Sequence, residues 1–276
     1  DDHDICDGWG SLPKAATASA VGRTLFAVAR EAALVFQHAC TETDLPSRFA
    51  DRSARHLGWH IDAPGLPILA PDLRSERTLT RVMDDAGWAD ADRWATLPAI
   101  AQTFLMSSVP LLGPRLSLVE GAMLRLPGVQ KYEDDLRDQW QSRAHRASWV
   151  RMLTLVRRLA RQGDVTALSG EIHLATRAEM TLGAGRVLHQ LVASGIAHRP
   201  PPNLWARALG GLAAWGEDPL PDAPIRIHPL PGQRHRYTAE RNALWLIRND
   251  GAWSARWDLE RSGTTPPLDL GGHGGA

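Results

Sequence analysis

The sequence contains few lysines and few cysteines, and the shortage of cysteine excludes a protein that is held together by a framework of disulfides. Only Lys14 and Lys131, and only Cys6 and Cys40, occur among 276 residues. Two cysteines without a Cys-x-x-Cys pair do not build a disulfide framework, and they are neutral evidence for a reducing compartment. Cys6 stands among acidic residues as either a ligand or a small buried side chain, and the general behaviour of free cysteine favours burial.

The chain also lacks an excess of charge and an unbroken apolar run. Its 31 basic and 31 acidic residues cancel, so no global field favours nucleic acid or an anionic membrane. The uncharged stretch from Trp94 to Pro114 is interrupted by Pro98, Gln102 and Pro110. It therefore predicts the end of a helix followed by a buried strand, not a membrane span. We expect neither nucleic acid nor membrane as a partner.

What the chain does have is a ligand-rich opening. Residues 1–10, here called the N-terminal segment, read Asp-Asp-His-Asp-Ile-Cys-Asp-Gly-Trp-Gly. Carboxylates and a neutral imidazole on irregular backbone are ligands that divalent cations take. Taken alone, the segment also fits a solvated acidic terminus, and a second ligand-rich segment decides against that interpretation.

The second segment runs from Val165 to His173, with the sequence Val-Thr-Ala-Leu-Ser-Gly-Glu-Ile-His. Its apolar start predicts a buried strand, and the two-residue period of a strand places Glu171 and His173 on one face. Ligands collect at the carboxyl ends of strands in open α/β sheets. The sequence therefore predicts a site where this strand end meets the N-terminal segment.

Two further side chains are candidates for contacting a substrate. Arg74 follows a predicted strand and could bind a phosphate with two hydrogen bonds, although a structural Arg pairing with Asp72 or Glu76 fits as well. His198 follows the strand predicted at Arg186–Ala193, and either reaches the site or caps its own loop.

The two ligand-rich segments resemble signatures of PhoD-like alkaline phosphatases in the calcineurin-like metallophosphoesterase superfamily. The resemblance continues in the same order through five further stretches: residues 72–78, 107–110, 132–140, 194–198 and 239–242.

That resemblance implies roles for individual residues. Asp2 matches a metal ligand, and His3 matches a histidine that contacts phosphate and protonates the leaving oxygen, with Asp4 placed to orient it. His173 matches a metal-ligating histidine, while Glu171 stands where the family pattern has Asp. The implied cofactors are two metal ions, with iron, calcium, zinc or manganese all permitted, and the implied partner is a small-molecule phosphate ester.

The resemblance is also incomplete. The superfamily's Asp-x-His and Gly-Asp motifs precede the motif that opens this chain, and no Gly-Asp motif follows at a suitable distance. We therefore expect an N-terminally truncated fragment that holds part of a metal centre.

The expected fold class is α/β, a mixed β-sheet sandwich flanked by helices (metallophosphoesterase-like αββα) that lacks its first strands and has a C-terminal antiparallel hairpin. Residues 1–262 are expected to form one domain and residues 263–276 a disordered tail. Asn249-Asp250-Gly251 predicts the hairpin turn, and Gly163 after an apolar helix predicts an αβ unit with the Val165 strand. The predicted elements are helices at 15–40, 90–101, 134–162 and 203–215, and strands at 57–61, 66–73, 103–109, 165–173, 186–193, 225–228, 237–248 and 252–260. The first of these helices is predicted to be a packing helix that buries one apolar stripe, formed by Leu25, Val28, Ala29, Ala32, Val35 and Phe36.

Two alternatives to an active phosphatase remain at this stage. Glu171 and the missing motifs allow a phosphatase-like binding protein without activity. Trp245, Trp253 and Trp257 allow a stacking platform for sugars or bases, although aromatic residues at a two-residue period favour core packing.

Overall fold

The computed structural model of this protein describes residues 4–64, 66–97, 101–114, 139–170, 173–183, 185–214 and 216–271. The chain begins with an irregular segment and continues as a mixed α/β structure. Its helices are α1 (Lys14–Thr17), α2 (Ala20–His38), α3 (Asp85–Trp94), α4 (Arg146–Leu159) and α5 (Asn203–Leu212). Its strands are β1 (Trp59–Ala63), β2 (Leu66–Ala70), β3 (Gln102–Met106), β4 (Asp164–Gly170), β5 (Thr176–Gly183), β6 (Arg186–Ala193), β7 (Ile225–His228), β8 (Asn242–Asn249), β9 (Ala252–Leu259), β10 (Gly263–Thr264) and β11 (Leu268–Asp269).

Seven strands form one large mixed sheet in the order β1-β2-β3-β4-β6-β5-β7. The four strands β2, β3, β4 and β6 run parallel, with Leu69 opposite Leu105 and Leu168 opposite Leu191. The outer strands β1, β5 and β7 pair antiparallel. Because parallel strands end at the same edge, the carboxyl ends of β2, β3, β4 and β6 lie side by side.

A second sheet covers one face of the large sheet. Strand β9 is its centre and pairs with β8, β10 and β11. Trp257 on β9 has no exposed surface and its indole N–H donates to the carbonyl oxygen of Val192 on β6 at 3.1 Å. Phe104 and Leu191 of the large sheet belong to the same buried cluster as Trp257. The two sheets therefore share one apolar core.

Helices cover the other face. Trp88 of α3 and Trp149 of α4 are buried in a cluster with Leu105, Ala167 and Leu188, which point to that side of the sheet. The indole N–H of Trp149 also donates to the carbonyl oxygen of Leu111 at 2.8 Å. The order of layers is helices, large sheet and small sheet, as the predicted mixed sheet sandwich flanked by helices requires.

Most predicted strands are present, with ends shifted by a few residues. The hairpin is confirmed, since Asp250 and Gly251 between β8 and β9 both have positive φ, 49° and 85°. The uncharged stretch holds the last residue of α3 and the whole of β3, as predicted. None of the helices in the described ranges is long and apolar enough to cross a membrane.

Helix starts were predicted less well than strands. The helix expected at residues 90–101 begins instead at Asp85, because the Asp84 carboxylate caps it by accepting from the N–H of Gly87 at 2.8 Å. The helix expected from residue 134 begins at Arg146; residues 134–138 lie outside the described ranges, while residues 139–142 form a bend and turn. Strand β5 was missed because Arg177, Glu179 and Thr181 interrupt its apolar residues.

The buried face predicted for α2 was wrong. Val28 is 60% exposed and Phe36 is 87% exposed, although both were expected in the packed stripe. Of the predicted stripe only Ala29 is buried, and the helix otherwise buries Gly22, Phe26 and Leu34. An apolar stripe predicts that a segment is helical, but it does not predict which face of the helix packs against the rest of the protein. Ala-rich helices carry apolar residues on more than one face.

The Gly- and Pro-rich tail also departs from expectation. Strands β10 and β11 lie within residues 263–271 and pair antiparallel with β9, so this part is ordered. Thr265 ties the segment further, since its backbone N–H donates to the carbonyl oxygen of Trp257 at 2.9 Å. Residues 272–276 lie outside the described ranges.

The buried Trp257 predicts a large stability difference within the small sheet. Trp257→Ala should lower the free energy of unfolding by about 3–5 kcal/mol, because it empties a fully buried site between the sheets. The control Trp245→Ala removes an indole that is 55% exposed and should cost about 1 kcal/mol or less. Urea unfolding followed by circular dichroism measures both, and equal losses would contradict the packing described.

Two partly buried histidines predict acid sensitivity. Burial lowers the pKa of His189 and of His228, although the Glu179 carboxylate between them opposes the shift, at 3.7 Å from His189 Nδ1 and 3.4 Å from His228 Nε2. The unfolded chain therefore binds protons more readily, so this contribution is complete above about pH 6.5 and declines as pH falls below it. Unfolding free energies at pH 5 to 8 should show a weaker pH dependence in His189→Gln, whereas the exposed control His235→Gln should match the parent. An unchanged slope in His189→Gln would refute this assignment.

Candidate functional site

A cavity of about 580 Å³ opens where the four parallel strands end. Its floor is formed by the last residues of the parallel strands, Ala70, Met106, Gly170 and Ala193. Helix α2 lies over it and Asp4 of the N-terminal segment borders it. Asp4 of the N-terminal segment and Gly170 at the end of β4 therefore line the same cavity, and Glu171 and His173 follow Gly170 in the sequence.

The N-terminal segment is anchored by Trp9. This indole is 4% exposed and stacks on Phe26 of α2, with ring centroids 5.6 Å apart. The carbonyl oxygen of Trp9 accepts from Arg74 Nη1 at 2.7 Å. Gly8 and Gly10 on either side have φ of 74° and 106°, conformations that glycine adopts without strain. The Gly-Trp-Gly turn therefore fixes the segment against the sheet.

A buried carboxylate organises the strand end that receives this segment. Asp72 Oδ1 accepts from the backbone N–H groups of Arg74 and Ser75, both at 2.9 Å, and Oδ2 accepts from the N–H of Leu57 at 2.6 Å. Burial alone would raise the pKa of Asp72, but these donors outweigh it and hold the pKa below its ordinary value. Asp72 is therefore an ionised structural group that joins the start of β1 to the end of β2.

Arg74 lines the cavity and is 8% exposed. Its guanidinium donates to Trp9, and its backbone N–H, not its side chain, donates to Asp72. The structural partner predicted for it was Asp72 or Glu76, whereas the observed partner is a main-chain carbonyl of the N-terminal segment. A role for Arg74 in binding phosphate stays a prediction.

The structure brings His173 and His198 together. Their rings stack with centroids 3.8 Å apart and planes 15° from parallel. Burial, and then the nearby His198, lower the pKa of His173, so that its imidazole is neutral at neutral pH and keeps a lone pair. His198 Nδ1 donates to the carbonyl oxygen of Arg199 at 2.9 Å.

Three of the predicted site residues, Asp2, His3 and Glu171, lie outside the described ranges, while Asp4 and His173 lie within them. No three His, Cys, Asp or Glu side chains in the described ranges are placed to hold a metal ion. The donor chemistry nevertheless fits one, because a neutral imidazole at 173 and carboxylates flanking the cavity are the ligand types that zinc, iron and manganese take.

Helix α2 contributes more to the site than its sequence indicated. It was interpreted as a packing helix, yet Phe26, Ala29, Arg30 and Ala33 face the cavity. The small residues at 29 and 33 leave the space open, and spacing of alanines by four on one helix side was the signal available in the sequence.

The fold agrees with the class predicted from the sequence. It is a mixed β-sheet sandwich with helices, and a cavity lies at its parallel strand ends. Residues 1–131 match the family model described as PhoD related phosphatase.

A solved structure titled "Structure of PhoD" matches the whole fold. The match has a TM-score of 0.56 at 12% sequence identity and covers 98% of this chain and 50% of that chain. The chain is therefore similar in fold to PhoD, and its first 131 residues resemble PhoD-related phosphatases, in agreement with its sequence motifs. It spans half the length of the solved PhoD chain. A search of curated proteins gave no significant match.

The hydrogen bonds to Asp72 predict that this carboxylate stabilises the fold. Asp72→Asn removes the charge and turns one acceptor into a donor, so it should lower the free energy of unfolding by about 1–3 kcal/mol at neutral pH. Since the folded pKa is lowered, the advantage of the carboxylate should persist until the pH falls below about 4. Chemical denaturation measures the loss, with the exposed Asp62→Asn on β1 as control. Equal stability of the two variants would contradict the role assigned to Asp72.

Proposed function

We propose that this chain carries part of a metal-dependent phosphoester hydrolase site. The observation that supports it is that Asp4 and Gly170, one residue from each ligand-rich part of the sequence, line one cavity at the ends of the parallel strands. The match to PhoD-related phosphatases supports the reaction class, hydrolysis of a phosphate ester.

In this proposal Asp2, Glu171 and His173 hold metal ions, of which there are two, drawn from iron, calcium, zinc or manganese. When bound, such ions lower the pKa of a water molecule and offset the charge of the phosphoryl oxygens. A neutral His173 suits this role because its lone pair does not have to be freed of a proton first.

The remaining residues act on the substrate. His3 donates a proton to the oxygen of the leaving alcohol, and Asp4 orients His3 by accepting from its other ring nitrogen. Arg74 and His198 contact the phosphate. The substrate is a small-molecule phosphate ester.

A second candidate is a phosphatase-like protein that binds phosphoesters without hydrolysing them. The observation that favours it is Glu171, where the family pattern has Asp, because the extra methylene moves the carboxylate. Tight binding of phosphate esters without turnover, with every added metal, would favour this candidate over the first.

The role of His3 predicts an effect that depends on the leaving group. His3→Ala should lower kcat by about 10²–10⁴-fold on an alkyl phosphate, whose leaving alkoxide needs a proton. It should have a much smaller effect on p-nitrophenyl phosphate, because nitrophenolate leaves without one. Equal effects on both substrates, or none, would refute the assignment of His3 as general acid.

The metal content of variants distinguishes the proposed role of His3 from that of the proposed metal ligands. His173→Ala should lose bound metal and activity together, whereas His3→Ala should keep its metal and the exposed control His235→Ala should keep both. A chelator should abolish hydrolysis by the parent protein, with recovery when metal is restored.

A further inference from the structure

The cavity beside the proposed phosphoester site is mostly apolar, and that lining indicates what kind of ester it takes. Its volume of about 580 Å³ lies within the range of small-molecule sites, about 300–1,000 Å³. The roof is Phe26, Ala29 and Ala33 of α2, and Leu57 and Trp59 border it around the start of β1.

The charged groups that border the cavity have structural contacts. The Asp72 carboxylate accepts three backbone N–H groups, as described above. Arg30 pairs with Glu42 and donates to the carbonyl oxygen of Arg55. Burial, and then Arg48, lower the pKa of His38, whose ring lies edge-on to Trp59 with centroids 6.4 Å apart. Within the described lining, the surface that is available to contact a ligand is therefore mainly apolar.

Met106 is the clearest sign that this surface receives a ligand. It ends β3, in which each of the other four residues is buried, yet it is itself 42% exposed and lines the cavity. A methionine has a flexible, polarisable side chain that adapts to apolar groups of different shapes.

We propose that this cavity binds the apolar group of a phosphate ester, with the phosphoryl group towards Asp4, Ser169 and Gly170. The inference rests on the proposed function for the position of the phosphoryl group. The preferred substrates are then esters with an alkyl or aryl group of about six carbons or more, and small polar esters bind more weakly.

Binding of two phosphonates, which are not hydrolysed, tests the proposal without requiring turnover. Hexylphosphonate should bind on the order of 10²-fold more tightly than methylphosphonate in isothermal titration calorimetry. Each buried methylene makes the binding free energy more favourable, and an open cavity gives only part of the full value. Ala33→Phe fills the cavity and Met106→Ser removes apolar surface, so both should reduce this ratio. Leu79→Ser is the matched control, since Leu79 is 43% exposed outside the cavity, and should leave the ratio unchanged.

Circular dichroism melting of each variant establishes that it is folded before the ratio is interpreted. Equal affinities for the two phosphonates in the parent protein would overturn the proposal. So would an unchanged ratio in both Ala33→Phe and Met106→Ser.

Hydrolysis of hexyl phosphate and methyl phosphate, measured as release of inorganic phosphate, distinguishes this inference from the proposed function. If both esters are hydrolysed with the same KM and the phosphonates bind equally, the proposed hydrolase function is retained and the apolar binding site is refuted. Suppose that neither ester is hydrolysed, but hexylphosphonate still binds more tightly and the substitutions at Ala33 and Met106 reduce this preference. The apolar binding site is then retained and the proposed hydrolase function is refuted.

Discussion

The arrangement of the site depends on one buried carboxylate. Asp72 lies where β2 ends, and its two oxygens accept three backbone N–H groups from two separate stretches of chain. An unpaired charge at this depth would be costly, and these donors are what make an ionised Asp tolerable there. The turn they fix also sets the backbone of Arg74, whose guanidinium holds the carbonyl oxygen of Trp9.

From that turn the geometry of the site follows in steps. Trp9 is fixed from one side by Arg74 and from the other by Phe26, so the N-terminal segment lies against both the sheet and α2. The parallel pairing of β3 with β4 and of β4 with β6 then places Gly170 at the same edge. A local polar contact and a global sheet topology thus converge on one cavity, whose charged groups lie at its border and whose interior is apolar.

The sequence predicted those parts of the molecule that have a local signal. Strand β4 could be predicted because it is short, apolar and preceded by an apolar helix, and the β8–β9 turn because Asn-Asp-Gly favours positive φ. The buried side of α2 could not be predicted, since Val28 and Phe36 are as apolar as Phe26 and only tertiary contacts distinguish them. Strand β5 was missed because Arg177 and Glu179 lie on its polar side, beside His189 and His228, in a pattern that resembles a loop.

The same distinction applies to the candidate site. The pairing of residues 2–4 with residues 171–173 followed from the two motifs and stays a prediction, while Asp4 and Gly170 are the neighbouring residues that line the cavity. The contact between Arg74 and Trp9 was not foreseen, because the direction of a long side chain is set by partners that are distant in sequence. Nor did the sequence indicate that the roof of the cavity would be helix α2, for which the small side chains at Ala29 and Ala33 are the physical reason.

The central claim is that residues 2–4 and His173 border one metal site. Titration with Mn²⁺, followed by NMR of the histidine rings, tests it most directly, because a paramagnetic ion broadens only nearby resonances. The account predicts that the signals of His3 and His173 broaden together, at the same metal equivalents. Broadening of one of the two without the other, or of neither, would contradict it.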